Sequence, residues 1–295
     1  MNTFKFEVAR WLARQKSSAM RRLDYPKSKA LEFIAPVRRA MRKNRRLEIE
    51  VITMMYNEAF LAPLFVRHYA TWVDRFTVFY DGESTDGTRR ELEAAAAQCD
   101  VKSLDIVPFE FPHGFDDELK IKRINRAVRK SSADFAVCVD ADEFVHPWPF
   151  ASTNPRDALA KETGNVVHCA MFNVYRHTTD ADIDQTKPPL FQRRHGNPNA
   201  GNDAYEKPCI VRPDCGAQFD VGCHKLLVPK RGSMLWKGVH WNKADDFCLL
   251  RCVRDRRDRL SIENRRNYLG EHYFDITEEQ IRTELKAHEN APLLF

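Results

Sequence analysis

Between residues 47 and 140 short apolar runs alternate with amphipathic ones, and this alternation restricts the fold more than any other feature of the chain. LEIEVITMM (47–55), RFTVFYD (75–81), VKSLDIV (101–107) and DFAVCVD (134–140) have the length and β-branched content of strands. EAFLAPLFVRHYATW (58–72), the stretch through ELEAAAA (91–97) and residues 116–132 carry helical spacing instead. Strands separated by helices of this length predict an α/β architecture, a parallel sheet with helices on both faces. With 295 residues, 43% of them apolar, the core needs neither disulfides nor metal to form. The 11 glycines and 15 prolines are too few for a collagen-like or low-complexity chain.

The second half is less regular. NVVHCAMFNVYRH (165–177) predicts a long strand, and 178–206 reads as a long polar loop. Short strands are expected near 207–212 and 224–229, then a charged helical stretch at 243–259 and a helix near 277–290.

The net charge of +5 is uneven. Residues 1–46 hold 14 Lys/Arg against Glu7, Asp24 and Glu32, while the remaining chain has 33 basic and 39 acidic side chains. A basic extension on an acidic body points to an anionic partner for the extension. Phe4, Val8, Trp11 and Leu12, then Leu31, Ile34, Val37 and Met41, fall near helical spacing on either side of Pro26. Basic amphipathic helices with aromatic residues suit an anionic membrane surface, or pack as a hairpin on the body with their charges in water. A nucleic-acid partner fits less well, since the Arg-rich run 251–266 is interleaved with Asp255, Asp258 and Glu263. The longest uncharged apolar stretch, AFLAPLFV (59–66), is far short of the roughly 18–20 residues that span a bilayer. No apolar segment of secretory type follows the first charges, although an Arg-rich, acid-poor start is also the composition of a mitochondrial transit peptide.

The eight cysteines include no CxxC pair. Buried reduced thiols in a cytoplasmic protein are therefore expected. Cys209, Cys215, Cys223 and His224 lack the paired spacing of a structural zinc site.

Three acidic clusters each follow a strand: MMYNE (54–58), YDGESTDGT (80–88) and CVDADEFV (138–145). In open α/β sheets ligands bind at the carboxyl ends of strands. Alternation puts Asp140 and Asp142 on the same side of an extended chain. Paired carboxylates there suit a hard dication, Mg²⁺ or Mn²⁺; without one they would repel and raise a pKa. Lys120 or Arg123, on the helix before this strand, could reach a phosphate or face solvent.

MMYNEAFLAPLFVRHYATWVDRFTVFYDGESTDGT (54–88) together with VDADEF resembles the nucleotide-sugar domain of family 2 glycosyltransferases, the GT-A fold. It is most similar to the bacterial branch whose pattern runs xxYNExxxLxxFxxHYxxxVDxFxVxDxxSTDGT. The resemblance covers about 54–145 and extends weakly to EKPCIVRPD (206–214), VGCHKLLV (221–228) and GVHW (238–241). It implies a nucleotide-sugar-binding half over 47–150 and an acceptor-binding half over 151–295, behind the extension 1–46. By the family's pattern Tyr56, Asn57 and Glu58 line the nucleotide end of the cleft, and Asp81 meets the base or ribose. Asp86 braces the STDGT turn through backbone N–H groups. Asp140 faces the ribose or the metal's water shell, Asp142 ligates the dication, and His224 adds a further ligand or is a hydrogen-bonded core histidine. His240 is a weaker candidate. Gly82 and Glu83 depart from the family, which often has Asp or Asn and then Gly there.

The resemblance implies transfer of a sugar from a nucleotide-diphosphate donor to a glycan or lipid-linked acceptor. The enzyme would be cytoplasmic and peripheral on the inner face of the membrane. Inverting transfer, the expected outcome, needs a general base near the acceptor hydroxyl. Glu143, Asp203, Glu206, Asp245 and Asp246 are the candidates, and retaining chemistry stays open. A nucleotidyltransferase would share the sheet and the acidic site, but MMYNEAF is not the Gly-rich basic loop such enzymes use. A non-enzymatic basic-armed binding protein is the third reading.

Overall fold

The computed structural model describes residues 45–111, 116–147, 153–175, 181, 183–187, 189, 192, 195–196, 204–227 and 232–241. The basic extension, the stretch 243–259, the helix expected near 277–290, and Asp203, Asp245 and Asp246 lie outside them.

In chain order the elements are β1 (Ile49–Met55), α1 (Leu61–Ala70), β2 (Arg75–Asp81), α2 (Thr88–Ala97), β3 (Ser103–Phe109), α3 (Asp117–Lys130), β4 (Phe135–Cys138) and β5 (Glu143–Pro147). There follow α4 (Pro155–Lys161), β6 (Val166–Tyr175), β7 (His195–Gly196), β8 (Ala204–Val211) and β9 (Gly232–Trp241). The strands form one sheet in the order β3-β2-β1-β4-β8-β6-β9-β5, with β7 on β6. The fold is α/β, as expected.

Sheet pairing departs from an all-parallel arrangement. β1 pairs in parallel with β2 and β4, and β2 with β3. Beyond β4 the sheet is mixed: β8 is antiparallel to β4 and β6, β9 is parallel to β6, and β5 is antiparallel to β9. β1 lies between β2 and β4, so the chain leaves it towards one edge and returns on its other side. That is a topological switch point, where loops diverge and leave a crevice.

The two faces of the sheet bury separate cores. Ile49, Val51 and Met55 pack with Leu64, Phe65 and Tyr69 of α1 and Leu92 and Ala95 of α2. Ile52, Ala136 and Cys138 pack with Ile121, Ile124 and Val128 of α3. Helix α3 shows why its sequence stops and starts where it does. Asp116 caps it by accepting the Leu119 N–H at 3.0 Å, with Asp117 and Glu118 in the first turn and Arg129 and Lys130 in the last. Each choice complements the helix dipole. Its buried residues Ile121, Ile124, Asn125 and Val128 recur at one-turn intervals and form the stripe that meets the sheet.

Several boundaries differ from expectation. β3 begins two residues late, and β4 ends at Cys138 because Asp140 enters a turn, closed by the Glu143 N–H on the Asp140 carbonyl at 3.1 Å. β8 starts at Ala204, inside the stretch expected to be loop, because Ala204 to Val211 find partners on β6. Within 224–227 there is no strand; Leu226 makes a single bridge to Phe219. β5, α4 and β9 were not anticipated. Among the described residues no helix is long and apolar enough to cross a membrane.

Candidate active site

Parallel pairing of β1 with β2 and β4 opens all three acidic clusters at the same edge of the sheet. The turns after β1 and β2 are laced together. Asn57 sits at φ 52°, a left-handed conformation that asparagine tolerates better than most residues. Its side-chain oxygen accepts the Thr85 N–H at 2.8 Å, and its own N–H donates to Ser84 Oγ at 3.2 Å. The Glu58 N–H donates to Thr88 Oγ1 at 2.7 Å, and the Ala59 N–H to Asp86 Oδ2 at 2.9 Å. Asp86 also accepts the Thr88 N–H at 3.0 Å. It braces the loop through backbone N–H groups, as expected. Gly87, at φ 86°, supplies the reversal that starts α2. Asp81 is buried at the end of β2 and takes the Glu83 N–H at 3.1 Å. Tyr56 and Glu58 are half-buried at the mouth of this corner.

The third cluster is organised around two lysines. β4 and β8 pair antiparallel through Val137 and Ile210, and the same register carried three residues on sets Asp140 opposite Lys207. Lys207 has no exposed side-chain surface. Its Nζ donates to Glu143 Oε2 at 2.6 Å, Glu143 Oε1 at 2.8 Å and Asp140 Oδ2 at 3.3 Å. Lys120, from α3, donates to Asp140 Oδ1 at 2.6 Å. Glu143 Oε2 accepts the Asp140 N–H at 2.8 Å, closing the turn on itself.

Burial by itself would raise the Asp140 carboxyl pKa. The charges of Lys120 and Lys207, with their hydrogen bonds, outweigh it and hold the group far below the usual carboxylate range. Burial conversely works against both ammonium groups, but the carboxylates keep Lys120 and Lys207 above the ordinary lysine value. Asp140 is therefore held ionised by two lysines of the chain itself, whereas the sequence suggested that only a cation could prevent repulsion there.

Glu143 and Glu206 do not stand as a base should. Glu143 is buried, with both oxygens on Lys207, so an acceptor hydroxyl would have to enter the interior to meet it. Glu206 neighbours Lys207 on β8, and successive strand residues point to opposite faces, so its carboxylate is directed away from the Asp140 cluster. It pairs with His168 at 2.7 Å instead. Asp142 is half-buried in the turn. His224 is exposed beside the cluster; partial burial and the Lys207 charge lower its pKa, which favours the neutral ring. Gly222, at φ 82°, gives that ring room, because a Cβ there would stand 3.0 Å from His224 Cδ2. His240 lies opposite Glu143 in the β5–β9 register.

Arg123 is not grouped with Lys120. It stacks over the Phe109 ring at 5.5 Å and lines a separate cavity of about 450 Å³ between α3 and β2–β3. That cavity also takes in Glu50, Arg75, Asp105, Arg126 and Lys130, but no residue of the Asp140 cluster.

Other residues of the long motif support the site from behind. Tyr69 donates its hydroxyl to the Glu143 carbonyl at 2.8 Å, and His68 Nε2 meets the Val145 carbonyl at 3.1 Å. Burial pushes His68 down to about 3, so its ring is neutral and serves as a donor. Asp74 accepts the Ile49 N–H at 2.9 Å and Arg156 Nη2 at 2.8 Å, fixing the start of β1. Lys207 is the functional candidate that sequence reasoning missed. Its one signal was the lysine in EKPCIV, a charge directly before an apolar run.

No known family model matches the chain, and no curated protein matches it significantly. Among solved structures it is similar to S. aureus TarS 1–349 in complex with UDP-GlcNAc, at 15% identity over 84% of this chain and 68% of that one, with a TM-score of 0.41. It is also similar to glucosyl-3-phosphoglycerate synthase from Mycobacterium tuberculosis in complex with Mn²⁺, UDP and glucosyl-3-phosphoglycerate, at 20% identity, 44% of each chain and a TM-score of 0.29. HddC from Yersinia pseudotuberculosis follows at 10% identity over 57% of this chain and 77% of that one, with a TM-score of 0.30.

Proposed function

We propose that the chain is a GT-A-type glycosyltransferase that moves a sugar from a nucleotide-diphosphate donor to a glycan or lipid-linked acceptor. The observation that carries this reading is the Asp140–Glu143 turn. It stands at the carboxyl end of β4, beside the switch point, with its first carboxylate held by Lys120 and Lys207. Ligand sites of open α/β sheets lie in such a crevice. The interlocked turns at Asn57 and Thr85, with Asp81 beneath them, form the wall of the same edge that would seat the nucleoside.

Asp142 and His224 would hold a Mg²⁺ or Mn²⁺ ion. Among the described residues no group of three or more His, Cys, Asp or Glu side chains gathers to hold a metal by itself, so these two ligands would be completed by substrate phosphates, as such ions allow, with the neutral imidazole as the ligating form. When bound, the dication supplies Lewis-acid stabilisation of the charge on the departing nucleoside diphosphate. Asp140, with both oxygens on lysines, would act as an oriented acceptor for the ribose or a bound water, not as a direct ligand. Lys120, slightly exposed, is placed to answer to phosphate charge as well as to Asp140.

For an inverting reaction the base would come from Asp203, Asp245 or Asp246, since Glu143 and Glu206 are engaged elsewhere. The basic extension 1–46 would seat the enzyme on an anionic, cytoplasmic membrane face. The test is a panel of nucleotide sugars with and without Mn²⁺, scored for donor hydrolysis and transfer. Metal-stimulated release of one nucleoside diphosphate is expected. No turnover and no binding of any donor would sink the reading.

A further inference from the structure

We propose that Lys207 is the positioning residue of the donor site, a fixed ammonium beneath the Asp140–Glu143 turn that sets where the Asp140 carboxylate stands. This inference rests on the transferase reading above and adds a residue to it.

Lysine is almost never fully buried unless it is paired, and Lys207 is fully buried. The hydrogen bonds of its ammonium run to two residues of a single turn, Glu143 and Asp140. Glu143 in turn accepts the Asp140 backbone N–H. Lys207, Glu143 and Asp140 thus form a closed knot that constrains both the main chain and the side chain of Asp140. Lys120 holds the other Asp140 oxygen from a different element, α3. With each oxygen on its own ammonium, the carboxylate plane cannot rotate freely.

Stability alone does not account for this arrangement. A buried ion pair is often no better than well-packed apolar residues of the same volume. The β4–β8 pairing beside it is built from Ala136, Val137, Ile210 and Val211, all buried. The charge appears where that apolar ladder reaches the acidic turn. Lys207 is also too enclosed to touch a diphosphate, so it acts through Asp140 and is not a catalytic residue.

The test uses the full chain and three probes, UDP, GDP and ADP, each with Mn²⁺, read by titration calorimetry. Lys207→Met removes the ammonium but strands the Glu143 charge. The double variant Lys207→Met/Glu143→Gln restores neutrality in the interior. It is expected to unfold near the parent's midpoint yet bind the preferred diphosphate at least tenfold more weakly. Lys207→Arg returns a cation to the same place and should recover binding to within about threefold of the parent. Parental affinity in a folded double variant would overturn the proposal. So would a loss in a folded Lys207→Arg variant as large as that in the double variant, since a cation at this place would then be irrelevant to binding. Failure of the unmodified chain to bind any of the three diphosphates is a different result, and it overturns the transferase reading together with this one.

Discussion

The Asn57 side-chain oxygen accepts the Thr85 N–H at 2.8 Å, so the turn after β1 and the turn after β2 hold each other in place. Asn57 does this from a left-handed backbone, at φ 52°. Alanine there loses the clamp and also strains the backbone, while glycine loses only the clamp. Asn57→Ala should cost about 2 kcal/mol, a hydrogen bond plus a left-handed penalty, and Asn57→Gly about 1 kcal/mol. Urea unfolding of both variants checks the order. Equal costs would mean the backbone conformation is unimportant.

Asp140 predicts the acid side of the stability profile. Its folded pKa lies below the unfolded value of about 3.9, so its contribution is present above that value and is lost as pH falls through the folded one. The stability gap between the parent and Asp140→Asn should be full above about pH 5 and shrink steadily in more acid solution. Denaturant titrations at several pH values read this directly. A gap that grows towards low pH would contradict the lysine-held carboxylate.

Asp142 separates the metal from the fold. It is half-buried in the turn that the hydrogen bonds between Asp140 and Glu143 close. Asp142→Ala should keep the parent's unfolding midpoint within about 1 kcal/mol while lowering metal-stimulated turnover at least a hundredfold. Mn²⁺-stimulated activity that survives the substitution would remove Asp142 as the ligand.

Glu206 tests the assignment of faces on β8. Because its carboxylate is directed to His168, Glu206→Gln should leave turnover within about twofold of the parent. Individual Asn variants of Asp203, Asp245 and Asp246 should identify the base by a loss of at least a hundredfold. A comparable loss in Glu206→Gln would place the base on the opposite face of the strand.

The extension can be tested without shortening the chain. Replacing Arg38, Arg39, Arg42 and Lys43 by Gln removes four of its 14 basic residues. At about 1 kcal/mol per basic residue near an anionic surface, flotation with anionic liposomes should fall sharply. Neutral liposomes should show little binding in either form. Unchanged flotation would assign the basic segment another partner.

The first half of the fold was legible because each level agreed. Apolar runs at strand length, helical stripes such as Ile121, Ile124 and Val128, and turn residues such as Gly87 all require the same αβ order. The second half was not, because its strands are made by partners distant in sequence. β9 takes its place between β6 and β5 through pairings that no local pattern announces. The long polar stretch before Lys207 looked like loop throughout, yet its last residues extend as strand once β6 is beside them.

By itself the sequence determined the α/β order and the acidic residues at the ends of three strands, since strand length and alternation are local properties. It also marked His68, Tyr69 and Asp74 through the long motif, though not what they do; each turns out to fix backbone behind the site. Tertiary structure alone decided the electrostatics. Lys207 lies 67 residues from Asp140 along the chain, and only the antiparallel register of β8 on β4 brings its ammonium under that carboxylate. Charge in a sequence gives the sign of each group. The distance and burial that set what the charge does come from which strands lie side by side.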